Sequence, residues 1–270
     1  MFPNRLVPGT NGECLIPSRR RPSGVKRRSV APVAICPLLY GDYLPLARRV
    51  ISSIIDHCSR RDYLLIVGAN EVGAETRRFL QALRKKGAID RLIVSEDNLN
   101  KCPMMRLMFD GLENEFIWWF DDDCHVTHPF ALSRWLERAR RAPESTVMWG
   151  QLAMCRQPGD FTYLRDPLSF VRNAPWYRGL PPPSWRPGGK GEFNHENQGT
   201  GDGRWFFITG GCWMIRTSAV RALNWPDPRL AKMGDDVFLG EAIRQQGWRF
   251  DNIGTLGIAI GTEHRRGALG

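Results

Sequence analysis

The stretch Phe116-Ile117-Trp118-Trp119-Phe120-Asp121-Asp122-Asp123 sets five bulky apolar residues directly before three aspartates. A short, continuous apolar run of this kind is typical of a strand that is buried on both faces of a parallel sheet. Three carboxylates in a row repel one another unless a cation lies among them. The stretch therefore predicts a central strand with a divalent-metal site at its carboxyl end. A solvated acidic turn is the alternative.

Strands and helices alternate ahead of this stretch. Apolar runs predict strands over residues 30–38, 63–67 and 92–94, and apolar residues at helical spacing predict helices over 44–55 and 72–86. This alternation predicts an α/β fold in which a mainly parallel, Rossmann-like sheet is flanked by helices. Ligands of such folds bind at the carboxyl ends of the strands, so Asn70 and Asp121 are expected at one crevice.

Residues 156–205 form a long segment rich in proline, glycine and aromatic side chains. Segments of this length inside a domain are usually functional, and we interpret this one as an insertion that contributes to a binding site. Its candidate binding residues are Trp176, Tyr177 and Trp185. Further on, the patterns predict short strands at 205–208 and 212–215, helices near 218–223 and over 235–246, and a closing glycine-rich strand over 253–260.

The net charge of +10 is unevenly distributed along the 270 residues. Residues 1–28 contain seven Lys and Arg residues and one acid, which predicts a flexible basic arm over residues 1–29 and a single domain over 30–270. Such an arm suits an anionic polymer or surface. A solvated leader without a partner is equally compatible with the sequence.

Neither a membrane span nor a signal peptide is apparent, because no apolar run approaches about 20 residues. The expected location is therefore the cytoplasm, or the host cytoplasm if the source is viral. The seven cysteines are scattered and never form a C-x-x-C pair, which favours reduced core thiols over a disulfide framework or a zinc ribbon.

Further candidates for chemistry follow the aspartates. Asp235 and Asp236 open a predicted helix, where acids favour the helix dipole but can also serve as a general base. His264 follows a glycine-rich stretch and is a candidate metal ligand. Gly210 and Gly211 allow close backbone approach to a ligand. After the third strand, Lys101 and Arg106 could reach a phosphate or a base.

In this order, the motifs resemble those of GT-A fold glycosyltransferases, particularly the family 2-like group. Residues 34–40 resemble the opening strand, Asp121-Asp122-Asp123 the DxD signature, and Gly210-Gly211 with Trp213 the glycine-bearing acceptor segment. Gly234-Asp235-Asp236 resembles the acidic pair whose second acid is the base in inverting members. The second strand departs from the family because it ends in Asn70-Glu71 rather than in the usual acids, which leaves the nucleotide open.

The resemblance implies metal-dependent transfer of a sugar from a nucleotide-sugar, with UDP-glucose as the first candidate donor. It implies Mn²⁺ or Mg²⁺ held by Asp121, Asp123 and His264, and inversion with Asp236 as the base beside Asp235. The residues expected at the nucleotide-sugar are Tyr40, Asn70, Lys101, Arg106 and Asp122.

The acceptor is open to several interpretations. With residues 156–205 as an acceptor-side insertion and Trp176, Tyr177 and Trp185 as acceptor-binding residues, the basic arm and the aromatic side chains favour DNA that carries a hydroxymethylated base, as in glucosyltransferases that modify DNA. A saccharide or a lipid-linked glycan is the alternative acceptor. Clustered aspartates also occur in metal-dependent nucleases, and a non-catalytic nucleic-acid-binding protein is a third class. The oligomeric state cannot be read from the sequence.

Overall fold

A computed structural model describes residues 31–155, 167–180, 205–231 and 234–261. The chain divides into two units, Met1–Val30 and Ala31–Gly270, and every element described here belongs to the second. The strands are β1 (Val33–Tyr40), β2 (Tyr63–Asn70), β3 (Arg91–Ser95), β4 (Phe116–Asp121), β5 (Cys124–Val126), β6 (Thr146–Cys155), β7 (Trp205–Arg216), β8 (Arg249–Asn252) and β9 (Ile258–Ile260). The helices are α1 (Leu44–His57), α2 (Ala74–Lys85), α3 (Lys101–Phe109), α4 (Ala131–Arg141), α5 (Pro167–Arg172), α6 (Thr217–Leu223) and α7 (Asp235–Gln245).

Seven strands form one mixed sheet in the order β3-β2-β1-β4-β7-β6-β8. All neighbouring strands run parallel except at β7, which is antiparallel to both β4 and β6. The predicted α/β class with a mainly parallel sheet is therefore confirmed, and β4 lies at its centre. Because β1, β2 and β4 are parallel, Tyr40, Asn70 and Asp121 end at the same edge of the sheet.

Each face of the sheet is covered by its own hydrophobic core. Alternate residues of β4 point to opposite faces, so Ile117 and Trp119 pack with α3, α6 and α7, whereas Trp118 and Phe120 pack with α1, α2 and α4. All four side chains are fully buried. This burial on both faces explains why the strand reads as a continuous apolar run rather than as an alternating one.

Two of the element boundaries predicted after residue 204 are wrong. The short strands predicted at 205–208 and 212–215 are one strand, β7, which runs through Gly210 and Gly211 without a turn. The closing strand predicted over 253–260 is a strand only at β9, because Gly254 and Gly257 adopt positive φ values of 59° and 78° that break the extended chain. Strand β9 pairs with β5 in a separate two-stranded sheet.

The described part of the insertion is fastened to the end of α7. Gln245 accepts hydrogen bonds from the backbone N–H groups of Arg178 and Leu180, and Gln246 donates to the carbonyl of Trp176. Helix α7 in turn lies directly on β7, since a Cβ at Gly240 would be 2.6 Å from the carbonyl oxygen of Phe206. Among the residues that the structure describes, no helix is long and apolar enough to cross a membrane.

Candidate active site

Asp121 ends β4 with its carboxylate held from two sides. The indole N–H of Trp119 donates to Oδ1 at 3.0 Å, and the ammonium of Lys101 donates to Oδ2 at 3.2 Å. Trp119 and Asp121 are two residues apart on one strand, so their side chains share a face. The orientation of Asp121 is therefore fixed by the strand itself and by the first residue of α3.

Lys101 also reaches the late acidic pair. Its Nζ lies 3.2 Å from Oδ2 of Asp235 and donates to the carbonyl oxygen of Gly210 at 3.3 Å. The ammonium additionally lies 5.7 Å from the centre of the Trp119 ring. One partly buried cation thus connects the end of β4, the middle of β7 and the start of α7.

Asp236 faces the same space beside Gly210. Its carboxylate accepts hydrogen bonds from the backbone of Val237 and of Gly210. A Cβ at Gly210 would lie 3.4 Å from Oδ2 of Asp236 and 3.1 Å from Nζ of Lys101. A side chain at position 210 would therefore contact both charged groups, and the structure brings Asp121, Asp235 and Asp236 together around Lys101 and Gly210.

Burial raises the pKa of two of these carboxyls. Burial raises the pKa of Asp121 to about 6, against the opposing effect of the Lys101 charge. The pKa of Asp236 is also raised to about 6, first by burial and then by the charge of Asp235. Burial alone would lower the pKa of the Lys101 ammonium. The carboxylates of Asp121, Asp235 and Asp236 have the larger, opposite effect and hold that pKa above its ordinary value. Lys101 is therefore a permanent cation at physiological pH.

Asp122 and Asp123 occupy the turn after β4 and differ in access. Asp122 is buried, with 3% of its surface exposed, so contact with a ribose would require its side chain to turn. Asp123 is half-buried and makes no ion pair with a described residue. Its carbonyl accepts the N–H of Gly261 at 2.7 Å, so the chain leaving β9 passes next to it. His264 lies beyond Gly261, outside the described residues.

The described residues at this edge of the sheet supply only some of the ligands that a divalent ion needs. Within residues 31–155, 167–180, 205–231 and 234–261, no group of three or more His, Cys, Asp or Glu side chains is arranged to hold a metal. Both oxygens of Asp121 already accept hydrogen bonds, whereas Asp123 accepts one described side-chain hydrogen bond, from the thiol of Cys124 to its Oδ1 at 3.6 Å. Mg²⁺ and Mn²⁺ readily share their coordination between one or two carboxylates and substrate phosphates. The donor set therefore suits an ion held jointly with a diphosphate.

Two of the residues predicted to meet the nucleotide, Tyr40 and Asn70, end the strands on the side of β4 that is opposite β7. Tyr40 is 37% exposed at the end of β1, next to Asn70 in the register of β1 and β2. Asn70 is buried. Its side-chain amide donates a hydrogen bond to Asn98 at 3.0 Å and accepts one from the backbone N–H of Leu99 at 2.9 Å, so it holds the loop before α3 in place. Asn70 thus shapes the wall of the crevice, and its predicted contact with a base or ribose stays a prediction.

Several other predicted residues lie away from this crevice. Arg106 donates to the carbonyls of Asn224 and Pro226 at the far end of α3. Trp213 is buried and stacks on Trp119 with ring centres 5.8 Å apart. Trp176 is 2% exposed. The remaining acceptor candidates are Gly211, which lies in β7 against Cys124, Tyr177, which is half-buried, and Trp185, which lies outside the described residues.

Two contributors to the site do not appear among the residues predicted from the sequence. The first is Trp119, whose indole orients Asp121. Its position two residues before Asp121 on a strand was a usable signal, because such residues share a face. The second is Asn98, which joins Asn70 to the loop before α3. No local pattern marks it, because its contacts bridge separate elements.

The comparisons with known proteins agree with this architecture. A family model described as "Glycosyltransferase like family 2" matches residues 42–251. The mannosyltransferase PcManGT from Pyrobaculum calidifontis, solved in complex with GDP-Man and Mn²⁺, is similar with a TM-score of 0.57 at 13% identity over 90% of this chain and 60% of that one. S. aureus TarS 1-349 is similar with a TM-score of 0.49 at 10% identity over 82% of this chain and 57% of that one.

The likeness to PcManGT concerns the fold alone, since the identity is low, and this chain spans about three fifths of the length of each solved structure. No curated protein sequence matches the chain significantly. The family model, in contrast, extends from the residues just after β1 to the end of β8 and so includes β4, β7 and α7. Because this match covers well over half of the sequence, the chain belongs to the glycosyltransferase-like family 2.

Proposed function

We propose that this protein transfers a sugar from a nucleotide-sugar to an acceptor hydroxyl, with Asp236 as the general base. The observation that carries the proposal is the meeting of two acidic motifs, distant in sequence, across the carboxyl end of β4. Lys101 lies 3.2 Å from Asp121 of the first motif and 3.2 Å from Asp235 of the second. A transferase needs these two sides, one for the donor and one for the acceptor.

The donor side is proposed to be the edge formed by the ends of β1, β2 and β4. A divalent ion, Mn²⁺ or Mg²⁺, would be held there by Asp123 together with the donor's diphosphate, and His264 remains a proposed further ligand. When bound, the ion offsets the negative charge on the departing nucleotide. PcManGT was solved with GDP-Man and Mn²⁺, which supports a nucleotide-sugar and a metal of this type.

The acceptor side is proposed to be the space in front of Asp236 and Gly210. Asp236 would remove the proton of the acceptor hydroxyl as that oxygen attacks the anomeric carbon, which inverts the configuration of the sugar. A carboxyl with a pKa of about 6 is mostly ionised at neutral pH yet basic enough to take a proton. Gly210 leaves the room for the hydroxyl, because its missing side chain would otherwise point at the Asp236 carboxylate.

The variant Asp236→Asn tests the assignment of the base. It keeps the shape of the side chain but cannot accept the proton, so transfer is expected to fall by about 10²- to 10⁴-fold. Binding of the donor nucleotide, measured by calorimetry, should stay within about threefold of the wild type, because Asp236 lies on the acceptor side. Transfer at the wild-type rate by this variant would show that another group is the base.

For the donor and acceptor, we further propose UDP-glucose and a hydroxymethylated base in DNA. The support is the basic arm of residues 1–29 and the aromatic insertion of residues 156–205. Trp176 gives little of this support, since its indole is buried and donates to Asp227 at 3.0 Å. Tyr177 and Trp185 are then the proposed stacking residues. A saccharide or lipid-linked glycan is the second acceptor class.

An assay with radiolabelled sugar donors separates these acceptors. Uridine and guanosine diphosphate sugars are each supplied with Mn²⁺ and with hydroxymethylated duplex DNA, unmodified duplex DNA or an oligosaccharide mixture. The proposal expects label on the modified duplex alone. Label on the oligosaccharides would replace the DNA acceptor with a glycan and leave the transferase assignment intact. Breakage of the DNA without any sugar donor would instead indicate a nuclease.

A further inference from the structure

Lys101 contacts both acidic motifs at once from a position where it is largely buried. We propose that Lys101 is a built-in counter-ion that joins Asp121 on the donor side to Asp235 on the acceptor side. By occupying Asp121, it keeps the free protein from holding a divalent ion firmly until the diphosphate of the donor supplies further oxygens. This inference rests on the proposed function and assigns Lys101 a positioning role within it.

The geometry around Asp121 supports the first part of the proposal. The Lys101 ammonium lies 3.2 Å from either oxygen of Asp121, and the Trp119 indole donates to one of those oxygens at 3.0 Å. A divalent ion placed on this carboxylate would lie close to the ammonium and be repelled by it. Asp123, two residues further on, has the thiol of Cys124 rather than a cation among its described side-chain contacts, so no described ammonium opposes a metal there.

The second part concerns the start of α7. Asp235 is its first residue, and 8% of its side chain is exposed. Its Oδ2 lies 3.2 Å from Nζ of the same Lys101. Gly210 of β7 contributes its carbonyl oxygen at 3.3 Å. The ammonium therefore fixes the first turn of α7 against β4 and β7, and the neighbouring Asp236 is held beside Gly210 as a consequence.

A purely structural ion pair is the competing explanation, and the two make different predictions. Loss of a structural ion pair lowers stability but leaves the affinity for a metal unchanged. Loss of a counter-ion leaves an extra carboxylate charge next to the metal position, so the affinity of the free protein for a cation should rise. The sign of the change in metal affinity therefore distinguishes the two roles.

The experiment is a calorimetric titration of MnCl₂ into the full-length protein without nucleotide. Lys101→Met should bind Mn²⁺ at least about tenfold more tightly than the wild type. Lys101→Arg, which keeps the charge, should stay within about threefold of the wild type, and so should the control Lys86→Met on the exposed end of α2. Equal Mn²⁺ affinity of Lys101→Met and the wild type would overturn the proposal.

A second measurement uses only the wild type, in case Lys101→Met does not fold. Mn²⁺ alone should raise the thermal midpoint only slightly. Mn²⁺ together with UDP or GDP should raise it by more than the sum of the shifts that the ion and the nucleotide cause separately. A full shift with Mn²⁺ alone would overturn the proposal. The metal titrations need no sugar transfer, so failure of this inference and failure of the proposed activity are separately visible.

Discussion

At the scale of single residues, Asp123 is the carboxylate that we propose holds a metal together with the donor. Asp123→Asn is expected to lower transfer by at least about 100-fold, because the ion that stabilises the departing diphosphate loses its open ligand. Stability should stay within about 0.5 kcal/mol, since the side chain is half-buried and forms no ion pair among the described residues. Transfer rates and urea unfolding measure the two effects.

Asp56→Asn on the exposed face of α1 is the matched control, because it makes the same chemical change far from the crevice. It should change neither quantity. If Asp123→Asn retained its Mn²⁺-dependent activity, the metal would have to be held by other groups, and the resemblance of residues 121–123 to a DxD signature would lose its functional meaning.

The raised pKa of Asp236 leads to a prediction about pH. The group must be ionised to act as a base, and its pKa is about 6 because of burial and the neighbouring Asp235. The value of kcat/KM should therefore be constant above about pH 7 and fall as the pH decreases through about 6. The pKa of Asp121 is also about 6, so the pH profile of Asp236→Asn is needed to assign the fall in kcat/KM to one of the two residues. If the residual activity of that variant still fell below about pH 6, a group other than Asp236 would be responsible for the fall.

The identity of the acidic residues could be predicted from sequence, whereas their relationship could not. Asp121 follows an apolar run and Asp236 opens a helix, and both are local patterns. The bridge through Lys101 depends on α3, β7 and α7 meeting at one point, although Lys101 is more than 100 residues away from both Gly210 and Asp235 in the sequence. Local patterns contain no information about such a meeting, so the sequence predicts Lys101 at a phosphate or a base and not between two carboxylates.

At the scale of elements, the anchor of the insertion can be tested through Asp227. Its carboxylate is 1% exposed and accepts hydrogen bonds from the Trp176 indole at 3.0 Å and from the Arg229 guanidinium at 2.7 Å. Arg229 in turn covers the ring of Phe170 in α5. Asp227→Ala should lower the free energy of unfolding by about 2–4 kcal/mol, because it leaves a buried indole N–H and a guanidinium without their acceptor.

Urea unfolding measures this loss, and Asp110→Ala at the exposed end of α3 is the control that should cost less than about 0.5 kcal/mol. If the two variants were equally stable, the Asp227 contacts would contribute nothing to the attachment of the insertion. Donor hydrolysis should survive in Asp227→Ala, since the described contacts of Asp227 are to Trp176 and Arg229 rather than to the proposed donor side.

The elements that sequence patterns missed have physical reasons for being missed. Helix α3 buries Cys102, Met104, Met105, Met108 and Phe109, so its apolar residues surround the axis and leave no clear stripe. Strand β7 contains Gly210 and Gly211, which ordinarily suggest a turn, but here their lack of side chains makes room for Lys101 on one face and Cys124 on the other. Tertiary contacts override the local preference in both elements.

At the scale of the whole molecule, the positive charge is concentrated in the N-terminal arm. Within Ala31–Gly270, many arginines are neutralised by partners, as in Arg60–Asp90, Arg77–Glu96, Arg138–Asp251, Arg140–Glu115 and Arg244–Glu241. The arm, in contrast, has seven Lys and Arg residues for one acid among residues 1–28. Attraction to an anionic acceptor should therefore come mainly from the arm.

Removal of residues 1–29 is expected to weaken binding to duplex DNA and to flatten its salt dependence. Each basic residue that contacts a phosphate contributes about 0.9 to the slope of log K against log salt concentration, so loss of the arm should reduce the slope by several units.

Fluorescence anisotropy with a labelled duplex at a series of KCl concentrations measures this slope, and replacing Arg19, Arg20 and Arg21 by Gln should give part of the effect. The slow hydrolysis of the nucleotide-sugar that we expect of the proposed donor side should be unchanged in both variants, because every residue proposed for that side lies after residue 29. An unaltered slope would mean that the arm does not contact phosphates, and the case for DNA as the acceptor would then depend on the insertion alone.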